Sequence, residues 1–163
     1  MKIRILSIIA SALAVSGLFA APELREFGLN VKSDGKATYD KDAVTQVRNL
    51  ELTLSLAGKE PAPDLVVKWT IYGHSRKNHD LVVIKTGDIK SGLDGGKTVT
   101  MSTPQVTIKG VREHSVSTGR GRSKRSKKVP ASGEEYYGYS VEVLNGATVV
   151  ADAYSKPSLK KSR

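Results

Sequence analysis

Leu50, Leu52, Leu54 and Leu56 alternate with Asn49, Glu51, Thr53 and Ser55. On a helix, residues at this spacing spread around the axis; on a strand they line one face. The segment therefore folds as a strand with one buried and one wet side. Leu65, Val67, Trp69 and Ile71 alternate in the same way with Val66, Lys68, Thr70 and Tyr72. Tyr137, Tyr139, Val141 and Val143 do so against Tyr136, Ser140 and Glu142. Weaker alternation covers Phe27-Leu29-Val31, Leu81 to Ile84, Val99-Met101 and Val106-Ile108. No window supports an amphipathic helix of ordinary length.

The punctuation between these runs suits strands. Ser33-Asp34-Gly35-Lys36, Asp94-Gly95-Gly96-Lys97 and Asn145-Gly146 are turn sequences, because Gly and Asn adopt positive φ at little cost. Asn145-Gly146, between Tyr139 to Leu144 and Ala147 to Ala151, predicts a two-residue type I′ hairpin. Pro61-Ala62-Pro63 separates the second and third strands, where proline stiffens a loop without removing ladder hydrogen bonds. About seven or eight short strands with regular turns predict an all-β chain, an antiparallel sandwich or barrel.

Trp69 lies midway along the third strand, and Tyr137 and Tyr139 open the penultimate one. In these features the chain resembles the immunoglobulin-like and fibronectin type III-like superfamily over about Phe27 to Tyr154. That resemblance implies a β-sandwich in which Trp69, Tyr137 and Tyr139 are core hallmarks. The chain departs from antibody-type domains in having no cysteine for the inter-sheet disulfide, which implies aliphatic residues in that place.

Met1 to Ala20 reads MKIRILSIIASALAVSGLFA. Lys2 and Arg4 give a positive start, Ile5 to Phe19 is largely apolar, and Leu18-Phe19-Ala20 ends in small-residue cleavage chemistry. About 15 apolar residues fall short of the ~20 that span a bilayer. Residues 1–20 therefore predict a cleaved signal peptide, and a mature form without a transmembrane span in the periplasm or at the outer surface of a Gram-negative bacterium. The absence of cysteine also excludes a disulfide scaffold, a thiolate metal site, a cysteine nucleophile and a lipid-bearing cysteine anchor. Stability must then come from an ordinary hydrophobic core.

The formal charge of +10 over 163 residues is unevenly spread. Two charges leave with the signal. Arg112 to Lys128 holds seven bases against Glu113, a net +6, and Lys156 to Arg163 adds +4, so the rest of the mature chain carries −2. Residues 110–134 are rich in Ser, Gly, Arg and Lys, with almost no large apolar side chain after Val116. Such composition predicts a long disordered basic loop, because too little surface is buried to offset ordering of the backbone. The tail, residues 156–163, is expected to be disordered as well.

In the loop, Arg120, Arg122, Lys124, Arg125, Lys127 and Lys128 form a candidate polyanion-binding set, acting by counterion release with strong salt dependence. Lipopolysaccharide, anionic glycans and extracellular DNA are the polyanions available to an exported protein. The segment has no aromatic residue to stack on bases, which argues against sequence-specific nucleic-acid recognition.

Catalytic chemistry finds little support. His74, His79 and Asp80 lie within seven residues, but their spacing matches no metal motif, and Arg76 and Lys77 between them oppose a dication. Glu134 and Glu135 adjoin at a strand start, where neighbours point to opposite faces and form no acid–base pair. Nucleophile-elbow, zincin, phosphate-loop and dinucleotide fingerprints do not occur. The sequence therefore predicts a non-enzymatic exported protein without metal or cofactor, acting in cell-surface assembly or adhesion with an envelope or surface protein as partner. By resemblance to exported bacterial single-domain immunoglobulin-like proteins, it is an accessory to pili or the outer surface; it lacks a type IV pilin leader. The alternative is a polyanion-binding module working through the basic loop.

Overall fold

A computed structural model describes residues 27–119 and 125–160. The signal peptide expected over residues 1–20 lies outside them. The described residues form ten strands, β1 (Phe27–Asp40), β2 (Ala43–Leu56), β3 (Ala62–Ser75), β4 (Leu81–Leu93), β5 (Thr98–Ser102), β6 (Val106–Val111), β7 (His114–Thr118), β8 (Arg125–Val129), β9 (Ser132–Asn145) and β10 (Thr148–Tyr154), and a 3-10 turn at Pro157–Leu159. The chain is an all-β antiparallel sandwich.

One layer holds β1, β2 and, in tandem along the other edge of β2, β5 and β6. The opposite layer runs β4-β3-β9-β10. The break between β5 and β6 has a chemical cause. Pro104 has no N–H for the ladder, and Thr103 bridges the gap: its N–H donates to Leu50 O (2.9 Å) and its Oγ1 accepts from Leu50 N (2.9 Å).

The alternating leucines meet the alternating third strand across the interior. Leu50, Leu52, Leu54, Leu65, Val67, Ile71, Val141 and Val143 are wholly buried, with Leu56, Val106 and Ile108 beside them. Burial of each such side chain stabilises the fold by about 1.5–3 kcal/mol. Trp69 is also buried, and its indole lies over Gly87 on β4, where a Cβ would come within 2.6 Å of the ring.

β9 joins the layers. Ser132 and Gly133 pair with Val111 and Gly110 of β6, and from Glu134 onward the strand pairs with β3. The corner depends on two facing glycines. Gly133 has φ +76° with Lys109 O where a Cβ would sit, and the Arg76 side chain crosses Gly110 in the same way.

Three local expectations are corrected by this structure. Asp34-Gly35 is not a turn; β1 runs straight through it, and the missing Cβ of Gly35 makes room for Val47 O and Arg48. The reversal falls instead at Lys41-Asp42, with Lys41 at φ +49°. The last hairpin turns on Gly146-Ala147, one residue later than expected; positive φ at Gly146 alone marks the II′ rather than the I′ geometry. Finally, Tyr137 is not a core residue. A β-bulge pairs Tyr72 with Gly138 but Gly73 with Tyr136, which leaves Tyr137 as the extra residue and reverses the strand's facing before it. Tyr136 and Tyr139 therefore pack against the core, and Tyr137 stands outside it.

Candidate functional site: the basic hairpin and its root

The segment read as a disordered loop contains β7 and β8, which pair with each other over five residues, His114↔Val129 to Thr118↔Arg125, and with no other strand among the described residues. Composition misled because it measures what a segment can bury. Here the backbone groups satisfy one another across the ladder, and the ends are tied down at the root.

That root is specific. Arg112 N donates to Asp42 O (2.8 Å) in the β1–β2 turn, and the Arg112 guanidinium lies 5.3 Å from the centroid of the Tyr39 ring. His114 Nδ1 is 3.0 Å from Arg112 O and 3.9 Å from Asp42 Oδ2. Lys128 Nζ pairs with Glu113 Oε1 at 3.3 Å. Two segments far apart in sequence thus share one corner.

Register sorts the cations. Cross-strand partners share a face, so Arg125 and Lys127 project with Thr118 and Val116, whereas Lys128 projects with Ser115 from the other side. Arg125 and Lys127 stand about 7 Å apart along the strand, and all three cations are exposed. Arg120, Arg122 and Lys124 lie outside the described residues. The three described members of the set therefore put charge on both faces of the hairpin.

Beneath the root lies a cleft of about 370 Å³ lined by His74, Arg76, His79, Arg112, Glu113 and Glu135, with Tyr136 as its apolar wall. Arg76 Nη2 binds Glu135 Oε2 at 3.0 Å, and Arg76 N–H donates to Gly133 O at 2.9 Å. No group of three or more His, Cys, Asp or Glu among the described residues is arranged to hold a metal ion. His74 is instead stacked on Tyr137, centroids 4.1 Å apart, and Lys156 Nζ lies 3.7 Å from the other face of that ring. Sequence reasoning gave Tyr39 and Asp42 no role and weighed Glu135 only as half of an acid–base pair. Nothing in their local sequence distinguishes them, because only the register of β1, β6 and β9 brings them to one corner.

The described part of the tail, residues 156–160, also differs from expectation. Pro157–Leu159 forms a 3-10 turn with Leu159 buried. Ser155 Oγ accepts from Tyr139 N at 2.7 Å, and Ser158 shares a hydrogen bond with the Tyr137 hydroxyl at 2.9 Å. Tyr139, partly buried against the core, donates its hydroxyl to Val31 O (3.2 Å). Burial holds its pKa above the ordinary value of 10.0, and the adjacent Tyr136 adds to the shift.

No protein-family model matches the sequence, and no curated protein does either. Among solved structures, β-glucosidase 3B from Thermotoga neapolitana is similar in its glycerol complex at TM-score 0.32 and 9% identity, and in its glucose complex at TM-score 0.30 and 10% identity. Each match covers 80% of this chain, which spans only 15% of the enzyme. At these scores the likeness carries no argument about this chain.

Proposed function

We propose that this chain is an exported, non-enzymatic binding domain of the envelope or cell surface, and that its contact element is the basic hairpin, which engages a polyanion. One observation carries the reading: among the described residues, β7 and β8 pair only with each other and hold Arg125, Lys127 and Lys128 exposed outside the core. A hairpin contributing so little to the two-layer core is explained by what it binds. Counterion release from a phosphate- or sulfate-bearing chain would supply the affinity. Lipopolysaccharide and anionic glycans offer those groups outside the cytoplasm, and the charged, apolar start of the chain supports export.

The strand order favours the immunoglobulin-like resemblance, and with it a role in surface assembly or adhesion, accessory to pili or another outer structure. With β1, β2 and β5–β6 on one sheet and β3, β9 and β10 on the other, β4 takes the place of an added strand beside the third.

Retention of the mature chain on immobilised heparin and on lipopolysaccharide, across a salt series, tests the proposal. R125Q/K127Q/K128Q removes three charges and keeps the hairpin backbone. Each cation that neutralises a phosphate steepens log K against log salt by about 0.9 on a duplex-like polyanion. Elution at clearly lower salt is expected for the variant; unchanged elution would overturn the reading.

A further inference from the structure

The outer face of the β4-β3-β9-β10 sheet holds a groove of about 620 Å³, within the ~300–1,000 Å³ range of ligand clefts. Its floor follows from register. One row across the sheet reads Thr86, Thr70, Ser140 and Tyr154, and the next reads Asp88, Lys68, Glu142 and Asp152. These are the polar halves of the alternations whose apolar halves build the core. The Tyr72 hydroxyl adds to the first row, 3.3 Å from Ser140 Oγ.

The chemistry of the two rows narrows the ligand. Five hydroxyls, on Thr70, Tyr72, Thr86, Ser140 and Tyr154, converge on one groove. Each hydroxyl oxygen can accept, and partners in the sheet orient them: Thr86 donates to Trp69 O at 3.0 Å and shares a hydrogen bond with Thr70 at 3.2 Å, and Tyr154 donates to Glu142 Oε1 at 3.0 Å. Such a floor matches a ligand whose own groups also donate and accept at close spacing, which is the pattern of adjacent sugar hydroxyls. The charged row alternates in sign at Asp88, Lys68 and Glu142, and Asp152 is paired with Lys160 at 3.7 Å. Its balance is slightly negative, so it would repel the polyanions suited to the hairpin.

The walls add an apolar component. The ring of Tyr154 and the buried Leu159, brought in by the C-terminal turn, line the same groove. The electron-rich face of an aromatic ring attracts the positively polarised C–H groups on the flat side of a pyranose. Hydroxyl-bearing edges and a C–H face are together the surface of a sugar ring. The groove is open, as an oligosaccharide chain requires.

The geometry points to a binding site for a neutral oligosaccharide on this sheet face, built from residues outside the hairpin and independent of it. Thr70, Ser140 and Glu142 bind its hydroxyls, and Tyr154 receives its C–H face.

Titration of the isotope-labelled mature chain with cellohexaose, maltohexaose, xylohexaose and mannohexaose, followed by amide NMR, tests the assignment. At least one hexaose is expected to bind at about millimolar strength or tighter, with shifts at Thr70, Ser140 and Tyr154. Tyr154→Ala and Thr70→Val should each weaken binding about tenfold or more, the equivalent of losing about 1.4 kcal/mol. Thr107→Val, the same change on the outer side of the opposite layer, should leave it intact. Thr70→Val keeps the test decisive should Tyr154→Ala disturb the tail. Absence of shifts with all four hexaoses at about 5 mM, or unchanged affinity in Thr70→Val, would overturn the assignment. Shifts of the groove residues by a heparin hexasaccharide, and by none of the neutral probes, would overturn its claim of neutrality.

Discussion

Gly87 and Trp69 illustrate how far a single residue's meaning depends on its cross-strand partner. They face one another between β4 and β3, and the indole occupies the space a side chain at Gly87 would need. Because the ring is buried, it has little freedom to move aside, so Gly87→Ala is expected to destabilise the fold by about 1–3 kcal/mol. Urea unfolding monitored by Trp69 fluorescence would measure the change. Tyr139 makes a different demand. Its raised pKa means that the folded state holds the phenolic proton more tightly than the unfolded chain does. The stability linked to it is fully present below pH 10.0 and is lost as pH rises through the folded value. Tyr139→Phe should therefore flatten the fall in melting temperature above pH 10.0, although it lowers stability at neutral pH by losing the bond to Val31 O. A melting series from pH 8 to pH 11 would check both parts; an equally steep alkaline fall in the variant would contradict the assignment.

Among the elements, the strands with strict alternation were legible and the hairpin was not. β2 and β3 carry four consecutive inward apolar positions each, and every one of those side chains is buried. β7 and β8 carry no such face, because the pairs Val116–Lys127 and Thr118–Arg125 bury little. They exist as strands through mutual pairing and the anchors at Asp42 and Tyr39. A two-stranded ribbon without a third strand is marginal in water, and its opening is a local event. Amide exchange in β7 and β8 should accordingly be faster by orders of magnitude than in β2 and β3, with protection highest near His114. Uniform protection across all four strands would contradict this. The bulges set a second limit on sequence reading. At Tyr137 one extra residue reversed which tyrosine faces the core, and an alternation pattern carries no mark of where an insertion falls.

Over the whole molecule, charge and shape divide the work. The described cations of the hairpin lie at the β1–β2 end, beside a cleft in which Arg76 pairs with Glu135 and Glu113 with Lys128, whereas the sheet-face groove is close to neutral and built of hydroxyls. The two proposed functions therefore predict opposite responses to salt and ligand charge. β9 makes the layers one body, since it pairs with β6 at its start and with β3 and β10 along its length. By itself the sequence determined the strand class, the inward faces of β2 and β3, the burial of Trp69 and the concentration of charge in residues 112–128 and 156–163, because period and composition are local quantities. The tertiary structure decided which polar positions become neighbours. Thr86, Thr70, Ser140 and Tyr154 span about 85 residues of chain and share one row, for no reason other than the register in which apolar faces meet. Burial selects that register, and the wet face receives its arrangement as a consequence.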